Sequence, residues 1–236
     1  MNHPIANCAP PESEPQKGME TREVRIPPAG LAGTLRYPRQ GNAVVVFAHG
    51  SGSSRLSPRN RAVAEGLNTQ EFGTLLFDLL TLEEEGDRAN VFDVTLLAER
   101  LVDAVNWLDR ESPAAPRALG LFGASTGAAA ALVAAAQLGG RIGAIVSRGG
   151  RPDLADEILH QVSTPTLLIV GGVDHGVIEL NERALSRLKG PKALEIIPGA
   201  SHLFPEPGAL EAVIDRAARW FARHLAVRLP QAGSRG

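Results

Sequence analysis

Short apolar runs alternate with amphipathic stretches along most of this chain. Ala43–Ala48 and Thr166–Val170 are continuous apolar runs, which is the pattern of strands buried on both faces of a sheet. Between such runs, the apolar residues of Phe92–Leu108 recur every three or four positions and so form one face of a helix. The alternation predicts an α/β fold with a mostly parallel central sheet of about eight strands, covered by helices on both faces.

The other predicted elements follow the same alternation. Strands are predicted at Glu23–Ile26, Leu31–Tyr37, Ala43–Ala48, Thr74–Leu79, Arg117–Phe122, Ile142–Ser147, Thr166–Val170 and Ala193–Ile197. Helices are predicted from Pro58 onward, behind the N-cap Ser57, and at Phe92–Leu108, Ala128–Leu138, Glu179–Leu188 and Gly208–Ala226. The first two strands are expected to pair through the turn Pro27–Gly30.

The two ends of the chain differ in composition from its middle. Residues 1–20 are rich in proline and poor in large apolar side chains, so this segment is predicted to be disordered. Residues 229–236 are predicted to be a flexible tail for the same reason. No repeat or linker interrupts residues 21–228, which are predicted to form a single domain.

Composition narrows the classes of function. The 236 residues are 44% hydrophobic and carry a net charge of -2 without a Lys/Arg cluster, which argues against a nucleic-acid partner. Cys8 is the only cysteine, so no intramolecular disulfide can form, as is typical of reducing compartments. No apolar run reaches ~18 residues and no signal peptide is visible, so no membrane partner and a cytoplasmic location are expected. Nothing in the sequence bears on the oligomeric state.

The clearest chemical motif is Gly123–Gly127 (GASTG), a G-x-S-x-G directly after the predicted strand Arg117–Phe122. A serine at such a sharp strand-to-helix turn exposes its hydroxyl, and the helix that follows directs its N-terminus at a developing oxyanion. A helix N-cap serine in a tight turn would give the same spacing. Its position between a buried strand and an Ala-rich helix favours Ser125 as a nucleophile.

A serine nucleophile needs a general base, usually a histidine. His202 lies in the loop after the last predicted strand, at the carboxyl edge of the sheet where Ser125 also lies. His160 precedes a strand and so lies at the opposite edge, whereas His224 lies inside the final helix. His202 is therefore the predicted base, and a loop-capping histidine is the alternative.

The base in turn needs an orienting acid, which in this chain order should follow the preceding strand. Asp174 is the first acid after Thr166–Val170 and lies in a glycine-rich turn. An Asx-turn aspartate is the alternative interpretation. The side chain of the adjacent His175 is expected to point elsewhere, and Glu179 is the second candidate for the acid.

An oxyanion needs backbone donors close to the nucleophile. The strand Ala43–Ala48 ends in the glycine-rich turn HGSGSSR, which predicts one donor at Ser51, with Gly52 as the neighbouring choice. The other predicted donor is Thr126, which follows the nucleophile. His49 precedes the turn and is interpreted as a structural hydrogen-bonding residue.

The same turn has a competing interpretation. Gly50 and Gly52 followed by Arg55, with Asp78 at the end of the next strand, resemble part of a dinucleotide-binding fingerprint. The third glycine of that fingerprint is missing, and no other phosphate-binding signature is present. The dinucleotide hypothesis is therefore the weaker of the two, and no cofactor and no metal are predicted.

Several arginines follow strands at the carboxyl edge of the sheet. Arg55 and Arg59 follow one strand, and Arg148 and Arg151 follow another. Arg55, Arg148 and Arg151 are candidates for binding a carboxylated or phosphorylated substrate. The alternative is that these arginines form salt bridges with the acidic loop Glu83–Asp87.

Four segments together resemble the dienelactone-hydrolase-like branch of the α/β hydrolases: HGSGSSRLSPRNR, GASTGAAAAL, GGVDHGVIELN and PGASHLFPEPGALE. The resemblance covers about residues 20–226 and implies the α/β-hydrolase fold. It also implies Ser125 as nucleophile, Asp174 as acid, His202 as base, and backbone donors at Ser51 and Thr126. Dienelactone hydrolase itself has a cysteine at this turn, so the resemblance does not extend to dienelactone as the substrate.

The sequence thus predicts a serine hydrolase that cleaves a small carboxylic ester, thioester or lactone through an acyl-enzyme. An acyltransferase or peptidase with the same triad is one alternative, and a non-catalytic binding module on this fold is another. Segments between strands are short, so the site is expected to be open, partly covered by Leu80–Val91.

Overall fold

One sheet of eight strands organises the computed structural model, which describes residues 18–38, 43–111 and 118–225. In chain order, the strands are β1 (Met19–Ile26), β2 (Leu31–Pro38), β3 (Ala43–Ala48), β4 (Gly73–Phe77), β5 (Ala118–Ala124), β6 (Ile142–Arg148), β7 (Thr166–Gly171) and β8 (Lys192–Ile197). Their order across the sheet is β1-β2-β4-β3-β5-β6-β7-β8. β2 is antiparallel to β1 and to β4, and the six strands β3 to β8 run parallel to one another.

Helices cover both faces of this sheet. The α-helices are α1 (Pro58–Asn68), α2 (Leu82–Glu85), α3 (Arg88–Phe92), α4 (Val94–Leu108), α5 (Thr126–Leu138), α6 (His175–Arg187) and α7 (Ala209–His224). Short 3₁₀ helices lie at Gly139–Arg141 and Pro152–Gln161. α4 and α5 pack together on one face, and α1 and α7 pack together on the other. The predicted α/β architecture is therefore confirmed.

The central strands carry the core. Every residue of β3 is buried, as its continuous apolar run predicts. The rings of Phe47 on β3 and Phe122 on β5 pack 4.9 Å apart, on the face covered by α1 and α7. On the opposite face, Leu101 of α4 and Leu132 of α5 are fully buried. Burying each such side chain contributes about 2 kcal/mol, and the resulting rigid layers hold the carboxyl ends of the strands in place.

The N-terminal hairpin is paired as predicted, with Ile26 opposite Leu31 across the four-residue turn. β1 begins at Met19, so the last two residues of the predicted disordered segment belong to a strand. Residues 1–17, including Cys8, lie outside the described residues, as do residues 226–236. The disorder predicted for both ends therefore stays a prediction.

The predicted helix Phe92–Leu108 is in fact two helices. Phe92 ends α3, and α4 begins at Val94. Asp93 separates them because its carboxylate accepts the backbone N–H of Leu96 at 3.0 Å and so caps α4. Neither α2 nor α3 was predicted, since both are too short to show a helical period.

Other boundaries differ from the prediction at the carboxyl edge of the sheet. α5 begins at Thr126 rather than Ala128, and α6 begins at His175 rather than Glu179. Gly, Thr and His are weak helix formers, which hid the first turn of both helices. β4 ends at Phe77 rather than Leu79, because the N–H of Leu79 bonds to the His49 side chain instead of a strand. The 3₁₀ helix Pro152–Gln161 was not predicted.

Candidate active site

Ser125 lies at the turn between β5 and α5, in a backbone conformation that a residue with a side chain rarely adopts (φ 51°, ψ −121°). Three hydrogen bonds hold it there. Its N–H donates to the carbonyl of Arg148 at 3.2 Å, and its own carbonyl accepts from the N–H groups of Ala128 at 3.0 Å and Arg151 at 3.2 Å. Such strain costs about 1–3 kcal/mol and persists where the surrounding structure enforces it. The predicted nucleophile therefore has the geometry of a nucleophile elbow, and no side-chain bond of an N-cap.

The two glycines of the motif permit a close approach of α5 to the sheet. A Cβ on Gly127 would lie 2.4 Å from the carbonyl oxygens of Ala48 and His49 at the end of β3. A Cβ on Gly123 would lie 2.4 Å from the Cα of Ala128. Any larger residue would push the helix away from the strand. The spacing G-x-S-x-G is thus a packing requirement of this elbow.

The glycine-rich turn after β3 lies directly against the elbow. Ser53 donates its N–H to the carbonyl of Gly50 at 3.2 Å, and Gly52 takes the positive φ of 67° that this turn needs. A Cβ on Gly50 would lie 3.1 Å from the Cβ of Ser125. The N–H of Ser51 takes no part in the hydrogen bond that closes the turn. The turn therefore brings the predicted donor Ser51 to the neighbourhood of Ser125.

Thr126, the other predicted donor, is the first residue of α5 and is 3% exposed. The first N–H groups of a helix have no partner within the helix. The N-terminus of α5 also carries a partial positive charge. These two features suit the N–H of Thr126 to an anionic ligand beside Ser125.

His49 is a structural residue, as its position suggested. Its Nδ1 lies 3.0 Å from the carbonyl of Gly50, and its Nε2 accepts the N–H of Leu79 at 3.0 Å. These bonds require the neutral ring with the proton on Nδ1. Burial lowers the pKa of His49, which favours the same neutral form. The ring therefore ties the end of β3 to the segment after β4.

His202 and Asp174, the predicted base and acid, are brought together by the fold. Nδ1 of His202 lies 2.6 Å from Oδ2 of Asp174. The carboxylate is acceptor-only, so Nδ1 carries the proton and Nε2 is left as an acceptor. The side chain of Asp174 is 18% exposed and that of His202 is 37% exposed, so the pair is shielded on the acid side and open on the base side.

The geometry does not match the alternative interpretation of Asp174 as a turn or capping residue, nor does it favour the second candidate acid. Asp174 is the N-cap residue of α6, yet its carboxylate makes no capping hydrogen bond and is directed to His202. Glu179, the second candidate, lies on α6 with an exposed side chain. His175 is exposed at the first position of α6.

Backbone hydrogen bonds join the loops that carry Asp174 and His202. The N–H of Gly172 donates to Ile197 at 2.8 Å, and the N–H of Val173 donates to Ala200 at 3.0 Å. Phe204 anchors the second loop, since its ring is 2% exposed in the core despite a strained φ of 55°. The acid–base pair therefore rests on rigid supports rather than on a free loop.

Sequence reasoning missed the supports beneath the base. A Cβ on Gly149 would lie 3.1 Å from the carbonyl oxygen of His202, so the loop after β6 packs closely against the residue proposed as the base. Asn181 of α6, fully buried, donates from Nδ2 to the carbonyl of Gly150 at 3.0 Å and so holds the loop after β6. The signal available in the sequence was a polar asparagine on the apolar face of a predicted amphipathic helix.

The structure separates the three candidate arginines. Arg55 binds Asp78, with Nε 3.3 Å from one carboxylate oxygen. Arg151 binds Asp153 through two hydrogen bonds of 2.8 and 2.7 Å, which raise the pKa of Arg151 and lower that of Asp153. Arg148 forms no ion pair within the described part of the chain and is 7% exposed. Aspartates therefore neutralise the first two charges, and no described carboxylate neutralises the third.

Two alternative interpretations remain: salt bridges between the candidate arginines and the acidic loop, and a dinucleotide site at the glycine-rich turn. Glu84 of the acidic loop bonds to Arg100 at 2.6 Å, so none of the three candidate arginines is its partner. Asp78, which would bind a ribose in the dinucleotide interpretation, accepts the N–H of Arg55 at 2.8 Å in addition to its ion pair. The side chain of Asp78 is thus occupied by Arg55, which does not favour a dinucleotide site.

A cavity of about 700 Å³ opens beside the glycine-rich turn. His49, Ser53 and Asp78 line one side of it, and Leu82 and Glu85 of α2 line another. Leu82 is 90% exposed, so α2 presents an unpacked apolar side chain next to this space. The segment predicted to cover the site thus borders a cavity adjoining the turn.

Within residues 18–38, 43–111 and 118–225, no cluster of three or more His, Cys, Asp or Glu side chains is arranged to hold a metal ion. Across the same ranges, no helix combines the length and apolarity that a membrane span requires.

Known proteins that resemble this chain point to one family. The family model described as the dienelactone hydrolase family matches residues 31–227. The crystal structure of dienelactone hydrolase from Anabaena variabilis is 51% identical in sequence and superposes with a TM-score of 0.84, covering 88% of this chain and 99% of that one. The eight-stranded sheet is therefore that of the α/β-hydrolase fold, as predicted.

Two further similarities bear on length and fold. A curated Mycobacterium tuberculosis protein, provisionally named a phosphoribosyl transferase, is 54% identical over 213 residues, which are 90% of this chain and 48% of that protein. This chain thus spans about half the length of that relative. Est1E from Butyrivibrio proteoclasticus is 15% identical with a TM-score of 0.71 and covers 86% of this chain and 99% of its own, a likeness of fold alone.

Proposed function

Because the chain belongs to the dienelactone hydrolase family, we propose that it is a serine hydrolase that cleaves small carboxylic esters, thioesters or lactones. The observation that carries the proposal is the 2.6 Å hydrogen bond between His202 and Asp174. It leaves Nε2 of the ring as a proton acceptor on the edge of the sheet where the strained turn presents Ser125. A serine, an imidazole base and an orienting carboxylate are the parts that acyl transfer needs.

In the first half of the reaction, Oγ of Ser125 attacks the carbonyl carbon while Nε2 of His202 takes the hydroxyl proton. The new C–O bond moves the carbonyl electron pair onto oxygen. The backbone N–H groups of Ser51 and Thr126 donate to that oxyanion, and losing one such donor typically costs about 10²–10³-fold in rate. Asp174 stays ionised and stabilises the imidazolium.

Collapse of the tetrahedral intermediate breaks the bond to the leaving group, which takes its proton from His202. The product of this step is an acyl ester on Ser125. Water then attacks the acyl carbon while His202 again accepts a proton. Breaking the bond to Oγ returns that proton to Ser125 and releases the acid.

The surroundings of Ser125 favour a small substrate. No large insertion separates β5 from α5 or β7 from α6, so these connections supply no cap over the serine. A cavity of about 700 Å³ adjoins the glycine-rich turn at His49 and Ser53, without Ser125 in its lining, and is of the size that accommodates a small molecule.

The proposal is tested by labelling with a fluorophosphonate probe, followed by mass spectrometry and by phenyl acetate turnover. Ser125 of the native chain should become covalently labelled, and the Ser125→Ala chain should lose both the label and the turnover. Ser186→Ala is the matched control, because Ser186 is an exposed serine on α6 whose hydroxyl bonds to the carbonyl of Arg183. Label or turnover that survives in Ser125→Ala would refute the proposal.

A further inference from the structure

Arg148 at the end of β6 has a buried cationic side chain whose charge no described carboxylate balances. The residue is 7% exposed, and Nη1 of its guanidinium has no hydrogen-bond partner. Within the three described ranges, no carboxylate lies within salt-bridge distance of it. This arrangement differs from Arg55 and Arg151, each of which has its own aspartate.

Arg59 adds a second unbalanced charge to the same region. It is the second residue of α1, it is partly buried, and its Nε also lacks a hydrogen-bond partner. Burial lowers the pKa of Arg148 to about 10, and the charge of Arg59 contributes in the same direction. Arg148 nevertheless stays protonated at neutral pH, so two guanidinium groups whose charges interact both lack an acidic partner among the described residues.

Burial of an unpaired charge is unfavourable, and no described carboxylate acts as a counter-ion for Arg148. Ala144 and Val146 of β6 pack on the face of the sheet covered by α1 and α7. Side chains alternate along a strand, so Arg148 is directed to that same face. A bound anion would supply the charge that the described carboxylates do not.

The backbone of Arg148 places this anion site next to the proposed nucleophile. Its carbonyl accepts the N–H of Ser125 at 3.2 Å, and the next residue, Gly149, packs against the ring of His202. β6 runs parallel to β5, so Arg148 ends its strand on the same edge at which Ser125 follows β5. An anion held there would be part of the molecule on which Ser125 acts.

We propose that Arg148 and Arg59 bind a phosphate group carried by the ester substrate. The inference rests on the proposed function for its link to catalysis. A phosphate monoester carries a charge close to −2 at neutral pH, which matches two guanidinium groups, whereas a carboxylate matches only one. Guanidinium groups also bind phosphate oxygens through paired hydrogen bonds, and the N-terminus of α1 favours an anion near Arg59.

Binding is measured first, by isothermal titration calorimetry of the Ser125→Ala chain with phenylphosphonate at about pH 8, where this probe is a dianion like a phosphate monoester. Removal of a charged hydrogen-bond donor should weaken binding about 10–100-fold, so Kd should rise by that factor in Arg148→Met and by about 10-fold in Arg59→Met. Arg219→Met is the matched control, because Arg219 forms an exposed ion pair with Asp215 on α7.

Absence of phenylphosphonate binding, or equal affinity in Arg148→Met, would overturn the site. Benzoate is the carboxylate counterpart of the probe. Benzoate binding that is equally tight and equally dependent on Arg148 would overturn the assignment to phosphate. The Arg59→Met chain keeps the test decisive if Arg148→Met does not fold, since Arg59 is only partly buried.

Turnover of two matched esters separates this inference from the proposed function. Phenyl acetate and 4-acetoxyphenyl phosphate carry the same acetyl ester, and the native chain should show the higher kcat/KM for the phosphorylated one. Hydrolysis of phenyl acetate without phosphonate binding would refute the anion site and leave the proposed function intact. Arg148-dependent phosphonate binding without turnover of either ester would support the site and refute the proposed function.

Discussion

The N–H of Ser125 donates to the carbonyl of Arg148 at 3.2 Å, so one backbone hydrogen bond joins the strained serine to the buried arginine that has no ion-pair partner in the described ranges. The contact links the turn after β5 to the end of β6. It couples the conformation of the proposed nucleophile to a residue that is costly to bury. Changes on either side of this bond are therefore expected to affect stability and turnover differently.

Replacing Arg148 by methionine should stabilise the fold. The lowered pKa of Arg148, about 10 instead of 12.5, corresponds to a penalty of about 3 kcal/mol on the buried cation. An apolar side chain of similar length removes that penalty, as replacement of buried charges often does. The free energy of unfolding, measured by urea denaturation in a buffer free of phosphate, should rise, whereas Arg219→Met should leave it unchanged. A less stable Arg148→Met chain would mean that the charge is balanced within the protein.

Asp174→Asn should abolish most turnover without unfolding the protein. An amide at this position can donate to Nδ1 of His202, which would move the ring proton to Nε2 and remove the proton acceptor. The expected loss in kcat is about 10³–10⁴-fold, with little change in KM. Phenyl acetate kinetics check it, and circular dichroism confirms that the variant is folded. Glu179→Gln, a change at an exposed acid on α6, is the control and should retain native kcat.

Gly127→Ala should damage both stability and activity. The added methyl group would lie 2.4 Å from the backbone oxygens of Ala48, the last residue of β3, and of the next residue, His49, so strand and helix would have to separate. We expect a loss of about 1–3 kcal/mol in the free energy of unfolding and at least about a tenfold fall in kcat, because α5 and the N–H of Thr126 would shift. Gly140→Ala has open space at its Cβ, so it should change the free energy of unfolding by no more than about 0.5 kcal/mol. It should leave kcat unchanged. Equal effects of the two changes would argue against close packing at the elbow.

His49 should make the fold sensitive to acid. Its pKa is lowered by burial, so between that lowered value and 6.5 the unfolded chain binds more protons than the folded one. Stability is therefore fully present above pH 6.5 and is lost as the pH falls through the folded pKa. The His49→Gln chain, which cannot titrate there, should lose less stability than the native chain over the same interval. Urea denaturation of both chains at several pH values checks this, and parallel curves would contradict it.

Much of the fold was predictable because its signals are local. The buried runs of β3 and β7 were found with correct bounds or nearly so, and the order of strands and helices followed from the alternation. Boundaries failed where capping or tertiary contacts outweigh propensity, as at Asp93, which splits one predicted helix into two. The bound at Phe77 failed because the side chain of His49, distant in sequence, captures the next backbone donor.

The site divides in the same way. The sequence by itself determined the strained elbow around Ser125 and the order serine, acid, histidine, since G-x-S-x-G and loops after apolar strands are read over a few residues. Only the tertiary structure decided that Asp174 bonds to His202 across 28 positions, that Asp78 neutralises Arg55, and that Arg148 has no such partner among the described residues. The physical reason is that ion pairing and burial depend on distances between side chains that the chain brings together only when the sheet is complete.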